Sequence, residues 1–334
     1  MTTNKAWILT RRPQGSVSQQ DLAYRELPLP PVGEGQILVR NLLLSLDPTN
    51  RLWMSDRDQY LPPVGIDDVM RGVTIGVVEQ SRSDRFAPGD FVQPADGGWQ
   101  SHVVADAKTS RRVQVDPDID LTAQMSVLGV TGLTAYFGLL DICAPKAGET
   151  IVISAAAGAV GSIVGQIAKL NGCRVVGIAG GPAKCAWLVD ELGFDGVIDY
   201  KAEDVGAALD RLCPDGIDMS FENVGGEIMD ATFSRLRTHG RMAVCGLISA
   251  YNKEGPIAGP TDFGRILMNR LTVRGFVVID YLSRTKEATA DLTQWIKAGR
   301  IKWKDHVIDG LEHAPAALDR LFSGQHDGKL MIRI

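Results

Sequence analysis

The middle of the chain is constrained by a regular alternation of strand-like and helix-like segments. From Thr150 onward, short runs of β-branched and apolar residues alternate with segments whose apolar residues recur every three or four positions. The predicted strands are 150–154, 174–179, 196–199, 217–222 and 240–245, and the predicted helices are 121–140, 160–171, 183–192, 202–212, 227–236 and 283–298. This order is typical of a doubly wound parallel sheet, the Rossmann type of α/β fold.

The turn after the first of these strands resembles a phosphate-binding loop. Between Ala155 and Gly161 the spacing is AxxGxxG. Gly158 lets the backbone approach a pyrophosphate at the helix amino terminus, and Gly161 lets the helix pack closely on the sheet. We therefore predict that residues 158–161, Gly158, Ala159, Val160 and Gly161, hold the pyrophosphate of a dinucleotide. The alternative is a glycine-rich turn that only packs closely, because the pattern is one glycine short of the usual fingerprint.

The end of the second strand bears on the choice between NAD and NADP. An enzyme that uses NAD normally carries Asp or Glu about 20 residues after the glycine-rich turn, where it binds the ribose 2′-hydroxyl. Here the strand ends in Ala179-Gly-Gly181 without an acid, and Lys184 follows. A lysine can make a charge-assisted contact with a 2′-phosphate, so the sequence favours NADP(H). The alternative for Lys184 is a solvated residue at the start of a helix.

The first third of the chain is β-rich. Predicted strands at 36–45, 69–80 and 99–105 are separated by turns rich in Pro, Gly and Asp, a pattern typical of a barrel or a strongly curved sheet. The last residues, 301–334, have a similar β-rich character and are too few for a domain. The sequence therefore predicts a discontinuous domain, 1–122 with 302–334, and a nucleotide-binding domain, 123–301.

Composition excludes several classes of function. The net charge is −5 and there is no dense Lys/Arg run, which argues against nucleic-acid binding. The five cysteines form no CxxC pair, and the most apolar stretch, 151–170, is interrupted by polar residues, so we expect reduced thiols and no membrane span. We expect a cytoplasmic protein. Before the nucleotide-binding region the only histidine is His102 and cysteine is absent, so the sequence offers no plausible zinc ligand set.

Several motifs together resemble the prostaglandin reductase / leukotriene B4 12-hydroxydehydrogenase family, to which bacterial curcumin reductases belong. The resemblance covers essentially the whole chain. The motifs are Leu44-Ser-Leu-Asp-Pro48 with Arg51, Tyr60-Leu-Pro-Pro-Val64, Val69-Met-Arg-Gly72, the segment 154–165, and Phe221-Glu-Asn-Val-Gly-Gly226. The resemblance implies a GroES-like β-rich catalytic domain beside the Rossmann domain, with NADPH in the cleft between them. It also implies an enzyme that reduces the carbon–carbon double bond of enones or enals, commonly as a homodimer.

The resemblance also assigns cofactor contacts to particular residues. It places Lys184 and Tyr200 at the 2′-phosphate, Asn223 at the ribose–phosphate portion, and residues after the next strand along the cofactor. The remaining residues that it assigns to the cofactor are Cys245, Gly246, Leu247, Ile248, Ser249, Tyr251, Phe276, Val277, Val278 and His326. Phe276–Val278 would face the nicotinamide. His326 stands where the family usually has Asn, and an imidazole can donate a similar hydrogen bond.

The catalytic candidates are Tyr60, Tyr251 and Asn50. Hydride addition to the β-carbon of an enone leaves negative charge on the carbonyl oxygen, which needs a hydrogen-bond donor, and the α-carbon needs a proton. Either tyrosine could supply these, and Asn50 could reach the carbonyl. The alternatives are that the tyrosines only shape the pocket and that a ribose hydroxyl or water donates. The family usually has Asp-Pro-Tyr-Met-Arg where this chain has Asp47-Pro-Thr-Asn-Arg51, which predicts a reshaped substrate pocket.

Two other functions remain open from the sequence. One is an NADPH:quinone oxidoreductase of the same superfamily, and the other is a non-catalytic NADPH-binding protein. Fold alone does not distinguish them, because one fold serves many functions.

Overall fold

In the computed structural model, which describes residues 3–18 and 20–334, the amino-terminal segment folds into short strands that pair mainly antiparallel. Its elements are β1 (Thr3–Leu9), β2 (Leu22–Pro28), β3 (Gln36–Ser45), α1 (Thr49–Trp53), β4 (Thr74–Ser81), β5 (Phe91–Gln93), β6 (His102–Asp106) and β7 (Arg111–Arg112), followed by a 3-10 turn, Leu121–Gln124. β1 and β2 form a separate two-stranded ribbon. The predicted strand at 69–80 begins only at Thr74.

The middle segment alternates strands and helices. Its elements are α2 (Val130–Phe137), a π-helix (Gly138–Cys143), β8 (Thr150–Ile153), α3 (Gly161–Leu170), β9 (Arg174–Ala179), α4 (Pro182–Asp190), β10 (Gly196–Asp199), α5 (Val205–Leu212), β11 (Ile217–Glu222), α6 (Gly226–Phe233), β12 (Leu236–Val244), a 3-10 turn (Ile248–Ala250), α7 (Arg265–Met268), β13 (Thr272–Gly275), a 3-10 helix (Val278–Arg284) and α8 (Thr285–Lys297). The strands form one parallel sheet in the order β10-β9-β8-β11-β12-β13.

The carboxy-terminal segment returns to the first sheet. It contains β14 (Asp305–Asp309), a 3-10 turn (Leu311–His313), α9 (Ala314–Ser323) and β15 (Lys329–Arg333). β15 pairs in parallel with β14 and antiparallel with β3, within a seven-stranded sheet of order β14-β15-β3-β4-β5-β7 in which β6 also pairs with β3. The chain divides into two compact units, one made of the described residues up to Met125 with Asp305–Ile334, the other of Ser126–Lys304.

Each unit has its own buried core. In the first unit, Trp7, Leu44 and Trp99 pack in one cluster with Leu318 and Leu330 from the returning segment. In the second unit, residues from both faces of the parallel sheet are buried against the helices, as in the cluster around Val176 and Phe233. The predicted fold class, α/β with a β-rich domain and a Rossmann sheet, is confirmed.

Two local predictions were wrong. The single helix expected at 121–140 is divided, because Gly129 adopts an extended backbone before α2 and the chain continues from α2 into a π-helix. The tail expected to be only β-rich contains α9. Its residues Ala314, Ala317, Leu318 and Leu321 recur at helical spacing and are buried in the first unit's core, and that burial stabilises a helix there.

Candidate functional site

The predicted cofactor residues of the second unit all follow the carboxyl ends of its parallel strands. Each segment comes directly after one strand: 154–161 after β8, 180–184 after β9, 200–201 after β10, 223–226 after β11, 245–251 after β12 and 276–278 after β13. Carboxyl ends of parallel strands share one edge of the sheet, and ligands of open α/β sheets bind at that edge. The sheet therefore brings residues that are far apart in sequence to one edge.

The turn between β8 and α3 has a backbone that leaves little room for side chains. Ala155 adopts a left-handed conformation with φ of 48°, and its carbonyl accepts a hydrogen bond from the N–H of Gly158 at 2.9 Å. A Cβ on Gly161 would lie 2.6 Å from the Ala155 oxygen, so only glycine fits there. No side chain caps the amino terminus of α3, whose Ncap residue is Val160. Helix N–H groups at such an end suit a pyrophosphate, so this turn, which also contains Ala159, fits the predicted group.

The end of β9 is shaped by its neighbour β10. A Cβ on Gly180 would lie 2.7 Å from the ring of Tyr200, so the ring occupies the space that a side chain would need. Gly181 has φ of 98° and precedes α4, whose first turn contains the half-buried Lys184. Asp199 accepts hydrogen bonds at Oδ1 from the N–H of Gly181 at 2.9 Å and from the N–H of Lys201 at 3.0 Å.

The segment after β12 is held by the segment after β11. The N–H groups of Ile248 and Ser249 donate to the carbonyls of Asn223 and Val224 at 3.2 and 3.0 Å. Within the segment, the hydroxyl of Tyr251 accepts a hydrogen bond from the N–H of Leu247 at 3.0 Å. Tyr251 therefore closes the 247–251 turn.

Two other residues of these segments have close neighbours. The Asn223 side-chain amide donates to the carbonyl of Ser154 at 2.7 Å, and Gly246 lies so near Asn223 that a Cβ would be 3.3 Å from the Asn223 carbonyl oxygen. Burial raises the pKa of the Cys245 thiol to about 12, so this thiol stays protonated at neutral pH and acts as a packing group.

The segment Phe276–Val278 is anchored by aromatic packing. The Phe276 ring contacts Phe221 edge to face, with centroids 6.1 Å apart, and Tyr281 in the same manner at 6.5 Å. A Cβ on Gly138 would lie 2.3 Å from the Phe276 ring, so the glycine makes room for it. Val277 and Val278 follow this anchor and lead into the 3-10 helix.

The catalytic candidates Tyr60 and Asn50 lie in the first unit. Tyr60 is 43% exposed, and its hydroxyl forms a hydrogen bond with the hydroxyl of Thr49, the residue that replaces the family's usual tyrosine. Asn50 is buried, where its Oδ1 accepts from the N–H of Asp47 at 2.7 Å and its Nδ2 donates to the carbonyl of Arg71 at 3.3 Å. Both polar atoms of Asn50 therefore have partners inside the protein, and its contact with a substrate carbonyl stays a prediction.

His326 lies in the loop between α9 and β15 of the first unit. Its Nδ1 lies 3.1 Å from the carbonyl oxygen of Arg320, in the last turn of α9. Its predicted contact with the cofactor stays a prediction.

The described residues offer neither a metal site nor a membrane-spanning helix. Across residues 3–18 and 20–334, no group of three or more His, Cys, Asp and Glu side chains is placed to hold a metal ion. In the same part of the chain no helix is long and apolar enough to cross a membrane.

Comparison with known proteins decides the family. Residues 5–113 match the family described as the N-terminal domain of oxidoreductase, and residues 159–297 match that described as zinc-binding dehydrogenase. The chain is 41% identical to the NADPH-dependent curcumin reductase of Escherichia coli, over 99% of this chain and 97% of that protein. It belongs to the medium-chain dehydrogenase/reductase family that includes the curcumin and prostaglandin reductases. The family resemblance seen in the motifs is thereby confirmed.

Similarity to other members of this family also extends over the whole chain. Prostaglandin reductase 1 of Bos taurus is 37% identical, with full coverage of both chains. The crystal structure of CurA from Vibrio vulnificus superimposes with a TM-score of 0.93 at 42% identity, covering 99% of this chain and 98% of that one. CurA has also been solved in complex with NADPH, and that structure matches with the same TM-score and identity.

Four residues that shape the predicted cofactor segments were not among the predicted site residues. They are Ser154, Gly180, Asp199 and Glu222. Each acts through a neighbour from another strand, which no local pattern reveals. The available signals were their position at or after the carboxyl end of a predicted strand and, for Ser154 and Glu222, their place within the family motifs.

Proposed function

We propose that this protein reduces the carbon–carbon double bond of α,β-unsaturated ketones or aldehydes with NADPH, by hydride transfer to the β-carbon and without a metal ion. The observation that carries the proposal is full-length similarity to enzymes named for such chemistry. One is the NADPH-dependent curcumin reductase of Escherichia coli, and another is the 2-alkenal reductase (NADP(+)-dependent) of Nicotiana tabacum, which is 37% identical over 99% of this chain. The cofactor is NADP(H).

The residues at the carboxyl edge of the Rossmann sheet are proposed to hold the cofactor. The turn Gly158–Gly161 would bind the pyrophosphate through N–H groups at the start of α3, because helix amino termini favour anions. Lys184 and Tyr200 would bind the 2′-phosphate through a charge and a phenol hydroxyl. Asn223, the 245–251 segment and Phe276–Val278 would orient the nicotinamide half, and His326 is kept as a candidate contact.

The bound cofactor supplies the hydride, and the protein must manage the charge that develops on the substrate. The carbonyl oxygen becomes an enolate oxygen, which a hydrogen-bond donor stabilises. Tyr60 or Tyr251 is proposed as this donor or as the source of the proton for the α-carbon, with Asn50 as a further carbonyl contact. The Thr49 hydroxyl forms a hydrogen bond with that of Tyr60, and with Thr49 as the donor the Tyr60 O–H would be available to donate to substrate.

We also propose a cytoplasmic homodimer with the two domains predicted above, 1–122 with 302–334 and 123–301. The support for the dimer is a set of exposed apolar side chains in the segments directly before and after β13, the last strand of the parallel sheet. In this region Phe263, Leu267 and Met268 are each at least 67% exposed, and Leu282 is 60% exposed. Exposed apolar patches of this kind mark interaction surfaces. Light scattering should give twice the chain mass, and Leu267→Asp should yield the monomer.

A substrate panel tests the reaction. NADPH absorbance loss should be fast with a short enal and a chalcone-like enone and slow with a benzoquinone, and the product should be the saturated ketone or aldehyde. Faster turnover of the quinone would instead favour a quinone reductase. Tight NADPH binding without turnover of any electrophile would favour a non-catalytic protein.

A further inference from the structure

A buried carboxyl group lies at the carboxyl end of β11, and the mechanism above does not use it. Glu222 is fully buried. Its Oε1 accepts three hydrogen bonds, from the N–H of Val224 at 2.6 Å, the N–H of Gly225 at 2.7 Å and the hydroxyl of Ser154 at 3.0 Å. Its Oε2 is also buried and has no hydrogen-bond partner among residues 3–18 and 20–334. Burying a carboxyl group with one unpartnered oxygen costs free energy, so the presence of Glu222 at this position calls for an explanation.

The first connection made by Glu222 runs to the phosphate-binding turn. Ser154 is the first residue after β8, and its hydroxyl donates to Glu222 and accepts from the N–H of Asn223 at 2.8 Å. The Asn223 side chain in turn donates to the Ser154 carbonyl at 2.7 Å. Three hydrogen bonds therefore join the turn after β8 to the segment after β11, although the residues are 68 or 69 positions apart.

The second connection runs to the segment after β12. The carbonyl oxygen of Glu222 accepts from the N–H groups of Cys245 and Gly246 at 2.9 and 3.1 Å. Because the side chain of the same residue fixes Val224 and Gly225, the loop that receives Ile248 and Ser249 is fixed as well. One residue thus links three strand ends, those of β8, β11 and β12.

We propose that Glu222, together with Ser154, is a positioning residue that holds these three loops in the conformation that receives the pyrophosphate and the nicotinamide half of NADPH. The inference rests on the proposed function, because it takes the three loops as the cofactor site. The side chain is buried beneath the loops and acts through them. The 2′-phosphate end, around Gly180 and Tyr200, has its own hydrogen bonds to Asp199 and does not depend on Glu222.

This difference between the two ends of the cofactor gives the test. Two ligands are titrated, NADPH by fluorescence and adenosine 2′-monophosphate, which lacks the 5′-phosphate, by calorimetry, against the variants Glu222→Ala, Glu222→Gln and Ser154→Ala. The matched control is Ser220→Ala, because Ser220 is an equally buried serine on β11 whose hydroxyl has no hydrogen-bond partner within the described chain. Thermal unfolding of each variant is measured alongside.

The expected result is a selective loss of NADPH affinity. Glu222→Ala should raise the Kd for NADPH at least tenfold and that for adenosine 2′-monophosphate less than twofold, and Ser154→Ala should act in the same direction by about threefold to tenfold. Glu222→Gln keeps the oxygen that accepts the three hydrogen bonds, so its Kd for NADPH should stay within about threefold of wild type. Ser220→Ala should change neither Kd.

Two results would overturn the proposal. One is an unchanged Kd for NADPH in Glu222→Ala or Ser154→Ala despite a lower Tm, which would make the network a structural one only. The other is an equal loss of affinity for both ligands. If Glu222→Ala does not fold, Ser154→Ala against Ser220→Ala decides on the same readouts. Wild-type protein that binds no NADPH at all would instead overturn the proposed function itself, and this inference with it.

Discussion

Asp199 at the end of β10 accepts a hydrogen bond at 2.9 Å from the backbone N–H of Gly181, which follows the neighbouring strand β9. The absence of an acid from the end of β9 was the sequence argument for NADP(H), yet the sheet brings a carboxylate to that strand end from its neighbour. The Oδ1 atom also accepts from the N–H of Lys201. Two amides thus compensate the charge of Asp199, so we expect preference for the 2′-phosphate to depend on Lys184 and Tyr200.

Replacing Lys184 should separate the two nicotinamide cofactors. A charge-assisted hydrogen bond to phosphate contributes roughly 1.5–3 kcal/mol, so Lys184→Ala should raise the KM for NADPH about 10- to 100-fold and leave that for NADH unchanged. Steady-state kinetics with both cofactors measure this. Lys146→Ala is the matched control, because Lys146 is an exposed lysine before β8, at the other end of the strand. A uniform loss with both cofactors would indicate misfolding rather than lost recognition.

A methyl group on Gly180 should displace the ring of Tyr200. The added Cβ would lie 2.7–2.9 Å from the ring atoms, closer than van der Waals contact allows. We expect Gly180→Ala to weaken NADPH binding several-fold with a small change in Tm, measured by fluorescence titration and calorimetry. Gly259→Ala adds the same methyl group in open space and should change neither. Unaltered NADPH affinity in Gly180→Ala would remove Tyr200 from the binding site.

Removing the Tyr60 hydroxyl should affect the chemical step. General acid catalysis typically contributes 10²- to 10⁴-fold, so Tyr60→Phe should lower kcat for an enone by about 10²-fold with an unchanged KM for NADPH. Thr49→Val keeps the shape of Thr49 but removes its hydrogen bond to Tyr60, so a smaller loss of kcat is expected. Single-turnover rates measure both. A kcat within twofold of wild type in Tyr60→Phe would leave Tyr60 with a role in pocket shape alone.

The buried Glu222 should make stability depend on pH. Burial raises the pKa of this carboxyl above its ordinary value of 4.5. Its proton is therefore bound more tightly in the folded than in the unfolded protein, and the stability it contributes is present below pH 4.5 and is lost as the pH rises through the folded-state pKa. As the pH rises above about 5, urea unfolding should show wild type losing stability relative to Glu222→Gln. Parallel curves for the two proteins would contradict the raised pKa.

Chelators should leave the activity intact. The segment before the nucleotide-binding region contains one histidine, His102, and no cysteine, which cannot complete a catalytic zinc site. Prolonged dialysis against a chelator should therefore change kcat by less than the assay error. Stoichiometric zinc in the purified protein, measured by plasma mass spectrometry, would contradict the proposal that the reaction needs no metal ion.

Much of the second unit was predictable because its signals are local. Apolar periodicity located every strand of the sheet from β8 to β12 within a few residues, and the glycines at 158 and 161 marked the turn before α3. The ribbon of β1 and β2 was missed, because its pairing partner lies beyond a 12-residue connection from Leu9 to Leu22. The helix α9 was missed because it is short and flanked by strands.

Residues of the candidate cofactor site could be predicted only where they belong to a recognisable sequence motif. Lys184, Tyr200 and Asn223 came from family patterns, and they follow strands of the predicted sheet. Contacts such as Glu222 with Ser154 depend on β8 and β11 being neighbours, and strand order cannot be derived from periodicity. The burial of Asn50 was equally hidden, because its partners Asp47 and Arg71 meet it only after α1 has packed.

The position of β15 has a consequence for how the chain is made. β15 lies inside the first sheet, between β14 and β3, and it follows the whole of Ser126–Lys304 in sequence. During vectorial synthesis on the ribosome, all strands of the Rossmann sheet emerge while β3, already able to pair with β4 and β6, still lacks β15. The nascent Rossmann unit can therefore fold first. The first unit keeps an incompletely paired sheet until β15 has been synthesised. Translation that stops after Lys304 would release a chain whose first unit is unfinished and prone to aggregate.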